Sequence, residues 1–408
     1  MYYLSSAKFR VFCVFRGCKT IPNVSMRVVQ TVSGIGWEAS GPSYSVPGLC
    51  RGLKAVGVDV CLHAQMLDDG KALPFDHVAY PYLRSRFLPG SNTLMRDGLK
   101  QACEAADIIH SNGLWNMPSV YPGWAVKGTK CKLVVAPRGT LAPWALRKGY
   151  WKKKIFGWLF QNQVLRRANM FHATSEKEYE EIRAQGYRQP VAIVPIGMEV
   201  PEFEPRNTLN TRKDGEQRKR VVFFGRLHNV KGVDRLVWAW ERVARDGWEL
   251  VIAGPDRGML EELKEIVAEK RLPRVSFVGE INGHAKYEFL AGADIYVLPS
   301  DTENFGVTVA EALASGTPVI ASQGTPWQGL ERERCGRWVP IGVEPLAVAL
   351  EEMMSMSDEE RAAMGARGRE WIRRDFSWKG IGAKMKAAYE WLFAPDKVEI
   401  PEWVVVSG

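Results

Sequence analysis

Nowhere in the 408 residues does an apolar run approach the ~20 residues that a membrane-spanning helix needs. No Cys-x-x-Cys pair occurs, and the seven cysteines, at positions 13, 18, 50, 61, 103, 131 and 335, are odd in number and scattered. That pattern excludes a disulfide framework and the common zinc sites, and it makes the cytosol the expected compartment. The six histidines stand isolated and give no metal-ligand spacing. Asp-x-Asp is missing too, since none of the 15 aspartates has another two positions away. The usual carboxylate clamp for a divalent ion on a diphosphate is thereby absent. Gly-x-x-x-x-Gly-Lys-Ser/Thr occurs nowhere, which excludes a Walker phosphate loop. Homeodomain, zinc-finger and aromatic RNA-binding signatures are lacking and the basic residues are spread out, so no nucleic-acid partner is expected. There are no low-complexity tracts.

What is present describes a globular α/β protein. Hydrophobic residues make up 46% and charged residues 25%, and the length favours two domains over one core. The net charge of +9 suits an acidic partner such as a nucleotide sugar or an anionic membrane surface. Residues 1–25 contain Phe9-Arg-Val-Phe-Cys-Val-Phe15, interrupted by Arg10 and followed by Arg16 and Lys19, which spoils a signal peptide. They read as a loose extension, or as the product of a start upstream of the native one. From Met26 onward, short β-branched runs alternate with amphipathic helices, the signature of parallel sheets. Strands are expected at 27–32, 57–63, 107–110, 132–136, 170–174 and 191–195, within a first domain of residues 26–202. The polar stretch 203–220 reads as a linker. A second domain, 221–378, carries strands at 221–225, 249–253, 274–278, 294–298 and 317–321, closed by helices near 344–355 and 358–374. A last helix lies around Ile381–Leu392, within a final segment of residues 379–408.

Chemistry concentrates in two places. One reads Tyr296-Val-Leu-Pro-Ser-Asp-Thr-Glu303-Asn304-Phe305-Gly306-Val307-Thr-Val-Ala-Glu311, running on to Gly316-Thr-Pro-Val-Ile-Ala. Asn304 is the expected N-cap, which puts Glu303 just before a helix and Glu311 two turns into it. The two carboxylates would sit ~10–12 Å apart along the axis, with the positive start of the helix between them. A carboxylate, an anion site and a second carboxylate in a row match the layout of a nucleotide sugar. The other place is Val221-Val-Phe-Phe-Gly225-Arg226-Leu-His-Asn-Val-Lys231-Gly232, a strand ending in a glycine turn that delivers two cations. Arg and Lys within five residues can clamp two phosphates and hold the charge of a departing diphosphate. Alone, each pattern is as well satisfied by solvated surface side chains. In this order, about 75 residues apart, they become specific.

The chain resembles the retaining glycosyltransferases of family 4, with Gly-Arg226-Leu-x-x-x-Lys231-Gly, Glu303-x7-Glu311, Phe305-Gly306 and Gly316-Thr-Pro-Val-Ile-Ala in the expected order from Met26 onward. The resemblance implies the GT-B fold: two Rossmann-like doubly wound domains facing a cleft, with the C-terminal helix returning to the first. It implies that Arg226 and Lys231 bind the donor diphosphate, Glu311 the ribose and Glu303 the sugar hydroxyls. The backbone at Asn304, Phe305, Gly306 and Val307 would touch the donor. So would the loop after the first strand, where Gly36 and Gly41 permit close backbone approach before a helix starting near Tyr44; an ordinary mobile loop is the plainer alternative.

Three positions depart from or extend the pattern. Relatives often end the strand before the acceptor pocket in His-x-His, whereas here it runs Ile108-Ile-His110-Ser111-Asn112-Gly113. Asn112 can hydrogen-bond a sugar hydroxyl yet cannot act as a base near neutral pH. His110 either substitutes or packs in the core. Arg138, in Ala136-Pro-Arg138-Gly, contacts donor or anionic acceptor, or forms a structural ion pair. Ile196 occupies a place often held by Asn.

The function implied is metal-independent transfer of a hexosyl unit from a UDP- or GDP-sugar to a growing surface glycan such as lipopolysaccharide or exopolysaccharide. It would take place in the cytoplasm, peripherally on the membrane, with no cofactor. Alternatives are a non-catalytic nucleotide-sugar sensor or scaffold and a sugar-nucleotide epimerase. A phosphorylase is disfavoured by the lack of a pyridoxal-lysine signature. One further segment stands out. On a helix over 151–167, Trp151, Ile155, Trp158 and Leu159 form one stripe, the expected core face, with Leu165 at its margin. Phe156, Phe160 and Val164 form a second, facing either an anionic membrane or the chain's own returning C-terminal helix or 141–150 loop.

Overall fold

The computed structural model describes residues 25–35, 41–65, 73–82, 88–202 and 218–406. Residues 1–24, Gly36 and most of the 203–220 linker lie outside the described residues. The chain divides into two units. The first comprises Met1–His172, Gly186–Ala192 and Met385–Gly408; the second comprises Ala173–Gln185 and Ile193–Lys384.

In the first unit the strands are β1 (Arg27–Val32), β2 (Asp59–Gln65), β3 (Asp76–Tyr80), β4 (Ile108–Asn112), β5 (Lys132–Ala136), β6 (Met170–Ala173, its last residue counted with the second unit) and β7 (Val191–Ile193, likewise). Their order across the sheet is β7-β6-β5-β4-β1-β2-β3, with β14 (Val404–Val405), from the end of the chain, added antiparallel to β7. The second unit holds β8 (Lys219–Phe224), β9 (Trp248–Ala253), β10 (Val275–Gly279), β11 (Ile295–Leu298), β12 (Val319–Ser322) and β13 (Gly336–Val339), ordered β10-β9-β8-β11-β12-β13 and parallel throughout.

Counted within each unit, both sheets share the doubly wound order 3-2-1-4-5-6. Both are parallel where helices connect the strands, because parallel neighbours need a crossover. The central strands are apolar runs with essentially no exposure, such as Ile108-Ile109, Leu133-Val134-Val135 and Ile295–Leu298, as expected of sheets covered on both faces. In each sheet the connection reverses direction beside the first strand. A crevice opens at such a point beyond the carboxyl ends of the strands, and ligands of open α/β sheets bind there. In the first unit it falls after β1 and β4, and in the second after β8 and β11.

The helix over 151–167 departs from expectation. It runs as α-helix over Tyr150–Phe156, as a π turn over Gly157–Gln161 and as α-helix again over Asn162–Arg167. The amide of Asn162 donates to the Gly157 carbonyl, five residues back. The inward residues Phe156, Phe160, Val164 and Ala168 recur every four positions, which in a plain α-helix drifts by about 40° per step. A wider turn absorbs that drift and keeps them on one side. Phe160 meets Trp124 and Phe156, and Val164 is buried at 1% exposure against Gly123. The stripe expected in the core is instead outside: Trp151 is 69% and Trp158 79% exposed, with Ile155 and Leu159 exposed beside them. Of that set only Leu165 is buried.

Candidate active site

At the switch point of the second unit, β8 is followed by Gly225 and feeds a short 3-10 turn, Asn229–Lys231. Gly232 follows with φ of +65°, and a Cβ there would lie 2.3 Å from the Pro299 carbonyl oxygen. Only glycine lets the Lys231 turn close on the loop after β11. The two loops are laced together: the Asp301 amide donates to the Val230 carbonyl at 2.8 Å, and Arg235 bonds the Pro299 carbonyl and the Asp301 carboxylate at 2.9 and 2.7 Å.

This brings Lys231 and Glu303 together. Lys231 Nζ lies 2.5 Å from Glu303 Oε1, which also accepts the Ser300 hydroxyl at 2.7 Å. Arg226 is exposed and makes no hydrogen bond or ion pair among the described residues, leaving its guanidinium available to an anion. The helix that follows spans Val307–Ala314, and its N-cap is Gly306 (φ +79°) rather than Asn304. Glu311 therefore sits just past the first turn, not two turns in. No side chain caps the helix start, which keeps its positive end, and the Val309 amide closes back on the Gly306 carbonyl at 3.0 Å. Glu311 is 4% exposed and pairs with Lys286 at 2.5 Å. Burial raises its pKa above the ordinary carboxylate value, while Lys286 opposes the rise. Thr308, in the first turn, is bonded by the buried Tyr296 hydroxyl at 2.6 Å. Phe305 is buried against Trp327 and Phe376, and the Trp327 indole donates to the Phe305 carbonyl at 2.5 Å.

Asn304 is claimed by a segment that sequence reasoning passed over. Its side-chain amide donates to Thr174 Oγ1 at 2.9 Å, and its backbone carbonyl accepts the Ser175 hydroxyl at 3.1 Å. Asn304 Oδ1 is buried and has no partner among the described residues. Thr174 is fixed by the buried Glu178, which accepts its amide at 2.7 Å and its hydroxyl at 2.8 Å. One turn on, Lys177 donates to Thr302 Oγ1 at 2.6 Å and to the Gly324 carbonyl at 3.2 Å; Gly324 also takes the Glu303 amide at 2.9 Å. Burial lowers the Lys177 pKa against the opposing pull of Glu181 and Glu303. Burial, with Glu178 adding, pushes Glu181 up to about 7. The start of the helix Glu176–Ala184 is thus a brace beneath the Glu303 loop. No local signal marked it, because these contacts span more than 120 residues. If the Glu303 loop holds the transferred sugar, Lys177→Met should lower kcat by about tenfold while nucleotide affinity holds and Lys177→Arg restores part, since small misplacements near a reacting centre are costly. Steady-state kinetics with calorimetry checks this, and an unchanged kcat would remove the brace from function.

In the first unit, the residues at the switch point form one buried network. His110 has no exposure; its Nδ1 meets Gln30 Nε2 at 3.2 Å and the Tyr389 hydroxyl at 2.6 Å, and its Nε2 meets His172 at 3.3 Å. Burial, with His172 and Arg138 adding, holds its pKa well below the ordinary value, so it stays neutral inside the fold. Asn112 donates to Gln30 Oε1 at 3.0 Å and accepts both Nε and Nη2 of Arg138, at 3.1 and 2.8 Å. Arg138, at the end of β5, adopts the left-handed region (φ +56°), and that turn aims it back at Asn112. Gly41 opens the helix Gly41–Ala55 and is exposed, with free space where a Cβ would stand. Among the described residues, no group of three or more His, Cys, Asp or Glu is placed to hold a metal ion, and no helix is long and apolar enough to cross a membrane.

Two family profiles match the chain: Glycosyl transferases group 1 over residues 208–371 and Glycosyl transferase 4-like domain over residues 40–197. A GDP-mannose-dependent alpha-(1-6)-phosphatidylinositol monomannoside mannosyltransferase of Mycobacterium tuberculosis is 33% identical over 220 residues, which are 50% of this chain and 56% of that protein. The chain thus spans little more than half the length of that relative. A D-inositol 3-phosphate glycosyltransferase of Jonesia denitrificans is 26% identical, covering 86% of this chain and 91% of its own. Among solved structures, Anabaena Alr3699/HepE in complex with UDP superposes with a TM-score of 0.72 at 17% identity, over 90% of this chain and 99% of that one. That likeness is one of fold.

Proposed function

The chain belongs to the group 1 glycosyltransferases of family 4, and we propose that it moves a hexosyl unit from a UDP- or GDP-linked sugar to a hydroxyl of a growing surface glycan, with anomeric configuration retained. The observation that carries this reading is the row formed by the Lys231–Glu303 pair, the uncapped start of the helix Val307–Ala314 and the buried Glu311. A diphosphate fits over the helix start with Arg226 and Lys231 as counter-charges, the ribose against Glu311 and the hexose against Glu303. The partnerless Asn304 Oδ1 is an acceptor suited to a donor hydroxyl.

In the transfer, the bond from the anomeric carbon to the phosphate oxygen breaks and a bond from the same carbon to the acceptor oxygen forms on the same face. The acceptor proton passes to the departing phosphate oxygen. Arg226, Lys231 and the helix dipole stabilise the charge that grows there. Glu303, held by Lys231 and Ser300, orients the sugar and forms no covalent bond to it. On this reading the acceptor is glycan carried on lipid, such as lipopolysaccharide, and the protein works on the inner face of the membrane.

A thermal-shift screen of UDP-, GDP-, ADP- and CMP-sugars tests the donor: the right one at 100 times its Kd should add about 2.7 kcal/mol of stability. NMR of the product should show the donor's anomeric configuration. Initial rates in saturating EDTA should stay within about twofold, because Arg226, Lys231 and the helix start supply the positive charge. Inversion of configuration, or complete loss in EDTA restored by Mn2+, would overturn the corresponding step. Donor turnover without acceptor would favour an epimerase, and donor binding without any turnover a sensor.

A further inference from the structure

The helix segment Tyr150–Leu159 turns its most apolar face to solvent. Trp151 is 69% and Trp158 79% exposed, and Tyr150, Ile155 and Leu159 are each half exposed or more. An exposed contiguous patch of this kind marks an interaction surface. Its charge setting is one-sided. Between Asp107 and Glu176 there is no acidic residue in 68 positions, against 11 lysines and arginines. Of these, Arg147, Lys148, Lys152 and Lys154 are exposed around the patch, and Lys154 lies 5.6 and 5.2 Å over the Tyr150 and Trp151 rings. Lys153 turns inward instead, to the Ala145 carbonyl.

We infer that this face docks on an anionic lipid bilayer, with the Trp and Tyr rings at headgroup level, Ile155 and Leu159 below them, and the lysines on lipid phosphates. Aromatic residues favour that boundary, and a helix with an apolar face rimmed by cations lies in it. A second copy of the chain is a poor occupant, because a self-complementary contact would set one acid-free face against another. Single-stranded nucleic acid would use the cations and stacked rings but leave Ile155 and Leu159 without a partner. None of the side chains involved is among those assigned to the donor, so docking does not depend on transfer. Its choice of a bilayer rests on the lipid-borne acceptor proposed above.

The test is flotation of the full chain with vesicles of phosphatidylcholine alone or mixed equally with phosphatidylglycerol. Binding should be at least about tenfold stronger to the mixed vesicles and weaken as salt rises above about 0.1 M. Ile155→Ser with Trp158→Ser should cut it by about tenfold or more with no change in Tm, because both side chains already stand in water. Lys152→Glu with Lys154→Glu should do the same. The inference is overturned if the wild type ignores the mixed vesicles or if only the lysine pair matters. It also fails if the Ser variant loses several degrees, as a packed face would, or if that variant instead converts a dimer to a monomer. Transfer to a water-soluble acceptor, assayed alongside, bears on the proposed activity alone.

Discussion

Arg226→Ala and Lys231→Ala should each lower turnover by roughly 10²–10³, the scale of removing one stabiliser of a developing anion. The two should differ in folding. Arg226 is exposed and without a partner among the described residues, so its removal should leave Tm unchanged. Lys231 and Glu303 are both mostly covered, at 14% and 13% side-chain exposure, so Lys231→Ala leaves a carboxylate whose remaining hydrogen bond among the described residues is from the Ser300 hydroxyl. A stability loss on the order of 1–3 kcal/mol should accompany it. Steady-state kinetics with thermal denaturation separates the two effects. A rate above half the wild type in Arg226→Ala, where no folding cost intrudes, would remove that residue from the diphosphate site.

The two glutamates should fail in different ways. Glu303→Gln keeps the shape of the side chain but weakens its bonds to sugar hydroxyls, so turnover should fall by about tenfold or more while affinity for the plain nucleoside diphosphate holds. Glu311→Ala should weaken that diphosphate itself by about 1.5–3 kcal/mol, the worth of charged hydrogen bonds. It also breaks the ion pair with Lys286, so Glu311→Gln is the cleaner partner experiment. Because burial raises the Glu311 pKa, the carboxylate takes up its proton at higher pH than an exposed glutamate. Wild-type affinity should therefore begin to fall earlier on acidification, and Glu311→Gln should flatten that limb. Equal affinity losses in the Glu303 and Glu311 variants, measured by calorimetry, would refute the division of labour.

The elements that were legible are those whose signal is local. Every central strand contains a short apolar run, and all were expected within a residue or two. β3, β13 and β14 were not, for a common reason. β3 is a polar, largely exposed edge, β13 opens on Gly336-Arg337 at another edge, and β14 has two residues. Edge position alone is not the cause, since the exposed edge strand β10 keeps Val275, Phe277 and Val278 and is legible; polar or very short segments leave no hydrophobic pattern to read. The Lys231 turn and the two glutamates were readable because glycines and charges follow strands at fixed spacing. Lys177, Ser175 and Lys286 were hidden, since their partners come from distant parts of the chain. Asn304 looked like a helix cap by type, but Gly306 closes the turn and Asn304 bonds Thr174 instead.

The π turn at Gly157–Gln161 has a consequence for which face the helix turns to water. A π turn is an α-helix with one residue too many, so a single in-frame codon loss there would restore a regular helix. Val164 and Leu165 would keep their seats downstream, while everything upstream would swing by about 100° about the axis. Trp151 and Ile155 would rotate away from their present direction, and Phe156, which now packs on Phe160, would turn with them. The outward apolar face and the inward seat of Phe156 are therefore set together by one residue of helix length.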